Sequence, residues 1–445
     1  MKNAISKNLI DLANLLDKPI YIVGGAVRDF LLGNKIQDID LAGSMSPKEI
    51  AKQLKGTKFH ITKTTEKLGT VRIVVNGETF EYTTFRKDSY DLLGGHTPIE
   101  VGFVDDIVID SKRRDFTINA IYYDLLSDEF LDFNNGILDL KNKVLRTPKD
   151  PKQTFQEDAL RILRVIRFAA ELGFLVEEKT YEAAKEMLPG IKNISHERIQ
   201  DEFNKIILAD SKNNIKNAHV KGFLGLHKLG MLEYIFPEIL SCIGVKQNPK
   251  FHKYKVFEHI IEVFKNSKPV LTERLAALLH DLGKANYKNQ LNMSGHAKES
   301  VLYSKAFLER MKYSKAITNK VLIIVKTHMF DSNQQQTELE RMHFIQENYK
   351  YIDDIISFKK ADIKGKTDSI KLLNIPLEKT KKEMEKNKIP FEIKDLPVSG
   401  KDLIELSIEE SKRTKALQSL LKETAKDYTL KNRANALEYI KNNFK

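Results

Sequence analysis

The sequence predicts an α+β protein: a head of mixed strands and helices through residue 146, followed by a long helical remainder. Three observations predict it. Between residues 18 and 146, short apolar runs alternate with glycine and asparagine turns, the pattern of strands and short helices. From Asp150 onward the apolar residues recur at helical spacing, almost without strands. And 445 residues exceed one ordinary core, so several domains are expected.

In chain order, Pro19 to Val23 reads as a buried strand ending at Gly24-Gly25, and Ala26 to Leu32 as a helix stopped by Gly33. Ile39 to Ala42 is a second strand. Val71 to Val75 and Thr79 to Phe85 alternate around Asn76-Gly77, the strongest short hairpin signal. Breaks near Asn248-Pro249 and Gly365, with Pro390 and Pro397 to Gly400 beyond, divide the helical remainder into three parts. The expected domains are residues 1–146, 147–245, 246–365 and 366–445.

A hydrophobic content of 41 % suits globular packing, and no apolar run reaches the length of a membrane-spanning helix. Asp11 interrupts the apolar stretch Leu9 to Leu16, which argues against a signal peptide. The single cysteine, Cys242, excludes an internal disulfide and a cysteine zinc cluster, which suits the cytoplasm. A net charge of +12 and a pI of about 9.2 fit a polyanionic partner. Each cation near a phosphate releases a counterion, although solvated lysine-rich helix faces account for the charge equally well.

The chemistry is concentrated in the head. Gly24 and Gly25 stand at a strand-to-helix turn, where backbone N–H groups approach a phosphate closely and the helix N-terminus favours an anion. Arg28 lies one turn along, within reach of the same triphosphate. Asp38-Ile39-Asp40 puts two carboxylates at i and i+2, on one face of a strand. Close carboxylates repel unless a cation holds them, and oxygen-rich magnesium sites of this kind bind through substrate phosphates. Glu81, on the strand through Phe80 to Phe85, reads as an exposed residue with the option of a third carboxylate. Asp158, Arg161, Arg164 and Arg167 recur every third residue, so on a helix they are neighbours, either a salt-bridged stripe or a surface for reading a base edge.

These segments resemble, in order, the motifs of bacterial-type (class II) tRNA nucleotidyltransferases and poly(A) polymerases, within the polymerase beta superfamily. Gly24 to Asp29, Gly33 and Asp38 to Asp40 resemble the first motif, and Arg113 to Ala120 the second, which contacts ribose and phosphates. Gly136 to Arg146 resembles the link to the neck, Glu157 to Arg164 the template motif, and Ser195 to Ile199 the neck motif that follows. The resemblance implies a polymerase-beta-like head with a mixed sheet, an all-α neck, an HD-type body and a tRNA-binding tail. It implies CCA addition to tRNA from CTP and ATP, with Mg2+ on Asp38 and Asp40. Gly24, Gly25 and Arg28 would hold the triphosphate, and Arg114 and Asp115 the ribose. Asp158, Arg161, Arg164 and Arg167 would build the pocket that replaces a nucleic-acid template. The stretch Arg86 to Asp105 resembles the family's flexible loop, and Leu92 to His96 departs from its Asp-Gly-Arg-like pattern.

Ala276 to Lys284 resembles the HD phosphohydrolase signature, with His259, His280, Asp281 and Asp362 as the implied ligands of a transition metal. His296 and His328 add imidazoles able to join that site. Asp395-Leu396 and Gly400 to Leu403 resemble the family's tail. The rival readings are a poly(A) polymerase, a specialist adding only CC or only A, and an HD phosphohydrolase with an RNA-binding head. The Asp38–Asp40 pair weighs against the last, because a retired site has no need of two adjacent unpaired carboxylates.

Overall fold

A computed structural model describes residues 1, 4–36, 38–89, 100–213, 215–249, 252–288, 290, 292–366 and 375–445. The chain divides into two compact units, Met1–Ile235 and Phe236–Lys445.

The first unit opens on a seven-stranded mixed sheet formed by β1 (Ile20–Val23), β2 (Asp40–Gly43), β3 (His60–Thr65), β4 (Thr70–Val75), β5 (Glu78–Thr84), β8 (Ile121–Asp124) and β9 (Glu129–Asp132), in the order β3-β4-β5-β2-β1-β8-β9. Only β2 and β5 run parallel; the other pairs are antiparallel. β4 and β5 meet as expected at Asn76-Gly77, whose φ angles of 48° and 81° make the primed turn that matches strand twist. β6 (Arg86–Ser89) and β7 (Glu100–Phe103) form a separate pair, and the expected flexible-loop residues Leu92 to His96 lie outside the described residues.

One expectation changes here. β2 begins at Asp40, paired with Val23, so Asp38 precedes the strand instead of sharing its face. β1 ends at Val23, where Gly24 turns away with φ +79°, and although β5 continues back to Glu78, residues 38 and 39 do not pair with it.

The helices Leu160–Leu172, His196–Ile207 and Ala218–Leu229 pack on one another around Ile166, Phe203, Ile206 and Phe223. In the second unit the helices Val256–Asn266, Leu271–Leu279, His296–Arg310, Lys315–Thr327 and Ile352–Lys366 surround a common core. The tail has its own apolar cluster, including Leu403, Ala416, Leu420, Ala436 and Ile440. Among the described residues, no helix is long and apolar enough to cross a membrane.

Candidate functional site

The turn from β1 into the helix Gly25–Leu31 forms one wall of a cleft of about 450 Å³. A side chain at Gly24 would be strained by the positive φ, and its Cβ would stand 3.6 Å from Asp40 Oδ2. Arg28 is buried, donating from Nη1 to Asn119 Oδ1 at 2.8 Å and from Nε to Asp29 Oδ1 at 2.8 Å. Asp38 and Asp40 both line the cleft. Lost hydration raises the Asp40 pKa; Arg114 opposes this, while the charges of Glu81 and Asp38 reinforce it. Glu81 lies directly opposite Asp40 in the β2–β5 register.

Two further carboxylates organise the arginines. Buried Asp110 accepts from Arg113 Nε at 2.7 Å, Arg114 Nη2 at 3.0 Å and the Tyr122 hydroxyl at 2.5 Å. Burial works to raise its pKa, yet Arg114 and Arg113 hold it down at about 2. Asp115 accepts from Asn119 Nδ2 at 3.1 Å and Arg164 Nε at 2.9 Å; burial again opposes, and Arg164 holds it at about 2. Arg164 and Arg167 approach Glu202 at 3.7 and 3.0 Å. The Phe168 ring sits among three guanidiniums, 5.1 Å from Arg28, 5.3 Å from Arg164 and 4.2 Å from Arg167.

Asp158 differs from the expected helical stripe. It closes the helix Pro151–Glu157, and its Oδ1 accepts from Leu160 N at 3.0 Å at the start of Leu160–Leu172. A short carboxylate that binds backbone two residues on competes with helix continuation. Its Oδ2 accepts from Arg198 Nη2 at 2.9 Å. Arg161 is anchored by Nη2 to Arg113 O at 2.7 Å and by Nη1 to Thr154 O at 3.2 Å and Glu157 at 3.3 Å. These bonds do not exhaust a guanidinium's five donors.

Gly24, Gly25, Arg28, Asp38, Asp40, Arg114, Asp115, Asp158, Arg161, Arg164 and Arg167 therefore line one cleft. Asn119, Arg198 and Lys212 line it too and were given no role from sequence. Asn119 and Arg198 fall inside recognisable motifs, where the amide and the guanidinium were the available signals; Lys212 carried none.

The two depressed carboxylates predict an acid dependence. A carboxylate whose folded pKa lies below its unfolded value stabilises the fold above about pH 4, and the contribution fades as pH falls towards about 2. For Asp115 this amounts to about 2 kcal/mol. Urea unfolding of the full chain should show Asp115→Asn as clearly destabilised at pH 6, with the gap to the parent shrinking by pH 3. A gap independent of pH would contradict the assigned ionisation.

In the second unit, His259, His280 and Asp362 form one buried group of metal-ligating atoms, and Asp281, His296 and His328 a second. Gly283 permits this assembly, because a Cβ there would meet His296 O at 2.3 Å. Burial works to raise the Asp281 pKa, but His280 and Lys284 keep it well below the usual carboxylate range. Asp362 is likewise held down against burial, chiefly by Lys366. Asp281, His296, His328 and Asp362 open onto a cavity of about 1310 Å³ that Lys284, Lys359 and Lys366 also line.

Residues 20–146 match the family described as the poly A polymerase head domain. Residues 173–243 match the probable RNA and SrmB binding site of polymerase A, and residues 254–355 match the HD domain. The chain is 43 % identical over 186 residues to the CCA-adding enzyme of Lactobacillus helveticus, covering 42 % of this chain and 45 % of that one. It is 35 % identical over 233 residues to the Staphylococcus aureus CCA-adding enzyme, covering 50 % and 57 %. The matches thus span about half the length of these curated relatives. The fold is similar to that of the Bacillus stearothermophilus CCA-adding enzyme in complex with CTP, with a TM-score of 0.70, 22 % identity and coverage of 96 % and 94 %. It is also similar to the Thermotoga maritima CCA-adding enzyme complexed with tRNA, with a TM-score of 0.59, 20 % identity and coverage of 98 % and 96 %.

Proposed function

We propose, because the head at residues 20–146 belongs to the poly A polymerase head-domain family, that this chain adds CCA to tRNA 3′ ends from CTP and ATP. The carrying observation is the single cleft that joins the Asp38–Asp40 pair, the Gly24-Gly25 turn and the Asp158–Arg161 pair. In this reading, Asp158 and Arg161 take the place of a nucleic-acid template. In the proposed reaction the tRNA 3′ oxygen forms a bond to the α-phosphorus of the incoming nucleotide, the bond to the β-phosphate bridging oxygen breaks, and pyrophosphate leaves.

The carboxylates fit Mg2+, since lost hydration raises the Asp40 pKa and the neighbouring charges of Glu81 and Asp38 add to it, a balance that a bound cation would reverse. Bound there, Mg2+ would neutralise charge on the phosphates and promote ionisation of the attacking hydroxyl. Gly24, Gly25 and Arg28 hold the triphosphate. Arg114 and Asp115 position the ribose, the first oriented by Asp110 and the second by Arg164. Asp158 and Arg161 read the base edge, and Arg164 and Arg167 support them. Such catalysis is mostly positioning and electrostatics. We assign residues 1–146 to the head, 147–245 to the neck, 246–365 to the HD-type domain and 366–445 to a tRNA-binding tail, acting in the cytoplasm.

Three tRNA substrates, ending at the discriminator base, after one C and after two Cs, test the full activity when each receives CTP and ATP. Completion of all three to CCA is the expected result. A stop at CC, or A added only to the last, would instead identify a specialist.

For the second unit we read His259, His280, Asp281 and Asp362 as a metal site serving phosphoester hydrolysis. Imidazole with carboxylate suits a transition metal, and Asp281 Oδ1 and Asp362 Oδ1 are buried without a hydrogen bond, as waiting ligand atoms would be.

A further inference from the structure

We propose that Lys212 binds the β- and γ-phosphates of the incoming nucleotide, the two that depart as pyrophosphate. This rests on the nucleotidyltransferase reading above and adds to its cleft a residue from outside the head. Each arginine lining the cleft already meets a carboxylate at 3.3 Å or less. Arg28 meets Asp29, Arg164 meets Asp115 and Arg167 meets Glu202. Lys212 lines the same cleft and is exposed, and among the described residues no carboxylate lies within ion-pair distance of it. An arriving polyphosphate therefore finds an ammonium that gives up no ion pair to receive it. Lysine suits that task as a compact point charge.

Local structure sets where the lysine stands. The helix Leu160–Leu172 ends at Gly173, and the chain returns to that end through the short turn Ala209–Ser211. Ala170, Ala209 and Ala218 form a buried cluster with Ile215 packed against it. Asn213 Nδ2 donates to Glu171 O at 2.9 Å. These contacts bracket Lys212 on both sides, so its backbone is set while the four-carbon stem keeps its rotamers. Burial raises the pKa of Glu171, and Arg167, Lys212 and Arg28 oppose it in that order, so the three cations lie near one carboxylate.

Order along the helix Leu160–Leu172 decides which part of the nucleotide reaches Lys212. Arg161, in the first turn, belongs to the base, and Arg164 holds Asp115 at the ribose. One turn further, the Phe168 ring lies 5.1 Å from Arg28, which holds the triphosphate. Glu171, tied to the residue after Lys212, is ten residues beyond Arg161, about 15 Å along the axis. An extended nucleoside triphosphate carries its base and its γ-phosphate at opposite ends, so Lys212 stands at the phosphate end. In-line displacement also brings the tRNA 3′ oxygen to the α-phosphorus from the side opposite the departing oxygen. The RNA strand thus approaches from the side away from Lys212.

Titration calorimetry on the full chain, with Mg2+ present and tRNA absent, measures binding of CTP, ATP and CMP to the parent, Lys212→Ala and Lys212→Arg. Lys212→Ala is expected to weaken CTP and ATP equally, by about tenfold, and to leave CMP unchanged. Lys212→Arg should recover most of that loss. Pyrophosphate should inhibit CTP incorporation about tenfold less well in Lys212→Ala, with KM for tRNA and thermal unfolding as in the parent. Unchanged CTP affinity in Lys212→Ala would overturn the assignment. An equal loss for CMP would overturn it too, placing Lys212 at the sugar or α-phosphate, as would a loss confined to tRNA, placing it on the RNA strand. A loss for CTP but not ATP would make it a base contact instead. A parent that binds neither triphosphate would overturn the nucleotidyltransferase reading itself, and this assignment with it.

Discussion

Replacing Asp38 and Asp40 together with alanine is expected to lower nucleotide incorporation by at least about 10³-fold while changing tRNA affinity little. Metal-held carboxylates supply several kcal/mol of charge stabilisation in the transition state, and each 1.4 kcal/mol is a factor of ten in rate. In the proposed reading, RNA affinity is spread over many cations of a chain whose net charge is +12. The cleft gives the substitution its force, since Asp40 already experiences the charges of Glu81 and Asp38. Single-turnover incorporation of CTP, alongside tRNA binding by filter retention, makes the measurement. Incorporation retained by the double variant would remove the two-carboxylate assignment. Lost binding with it would point to misfolding, which circular dichroism resolves.

Asp158→Ala is expected to lower selection of CTP and ATP over UTP and GTP by about 10- to 100-fold, the scale of one well-made contact to a base edge. Arg161→Ala is expected to do likewise, with some loss of stability, because its guanidinium also ties Arg113 O and Thr154 O together. Arg198→Ala separates reading from positioning. Arg198 holds Asp158 Oδ2 at 2.9 Å, so its loss should erode selectivity with less effect on the rate for the correct nucleotide. Competition among the four nucleoside triphosphates, followed by product sequencing, gives the ratios. Selectivity undiminished in both Asp158→Ala and Arg161→Ala would move the template role elsewhere in the cleft.

The sequence alone determined whatever local chemistry controls. Asn76-Gly77 specified a hairpin because two consecutive positive φ angles suit few other residues, and the turn at Gly24-Gly25 followed from the single positive φ that Gly24 supplies. The helical remainder was legible in its apolar period, and the carboxylate pair Asp38–Asp40 in its spacing. Tertiary structure decided the rest, because distances between elements have no local signature. Asp38 lies off the strand because neither β1, which ends at Val23, nor β5 pairs with it, and Glu81 came beside Asp40 only because β5 runs parallel to β2. Asp158 acquired Arg198 from another helix. In the second unit, the sequence offered His296 and His328 as imidazoles able to join the site of His259, His280, Asp281 and Asp362. Packing of their helices turned both Nε2 atoms towards Asp281 Oδ1, while backbone carbonyls captured both Nδ1 atoms. Side-chain identity is written residue by residue, but which lone pairs meet is settled by the crossing of helices far apart in the chain.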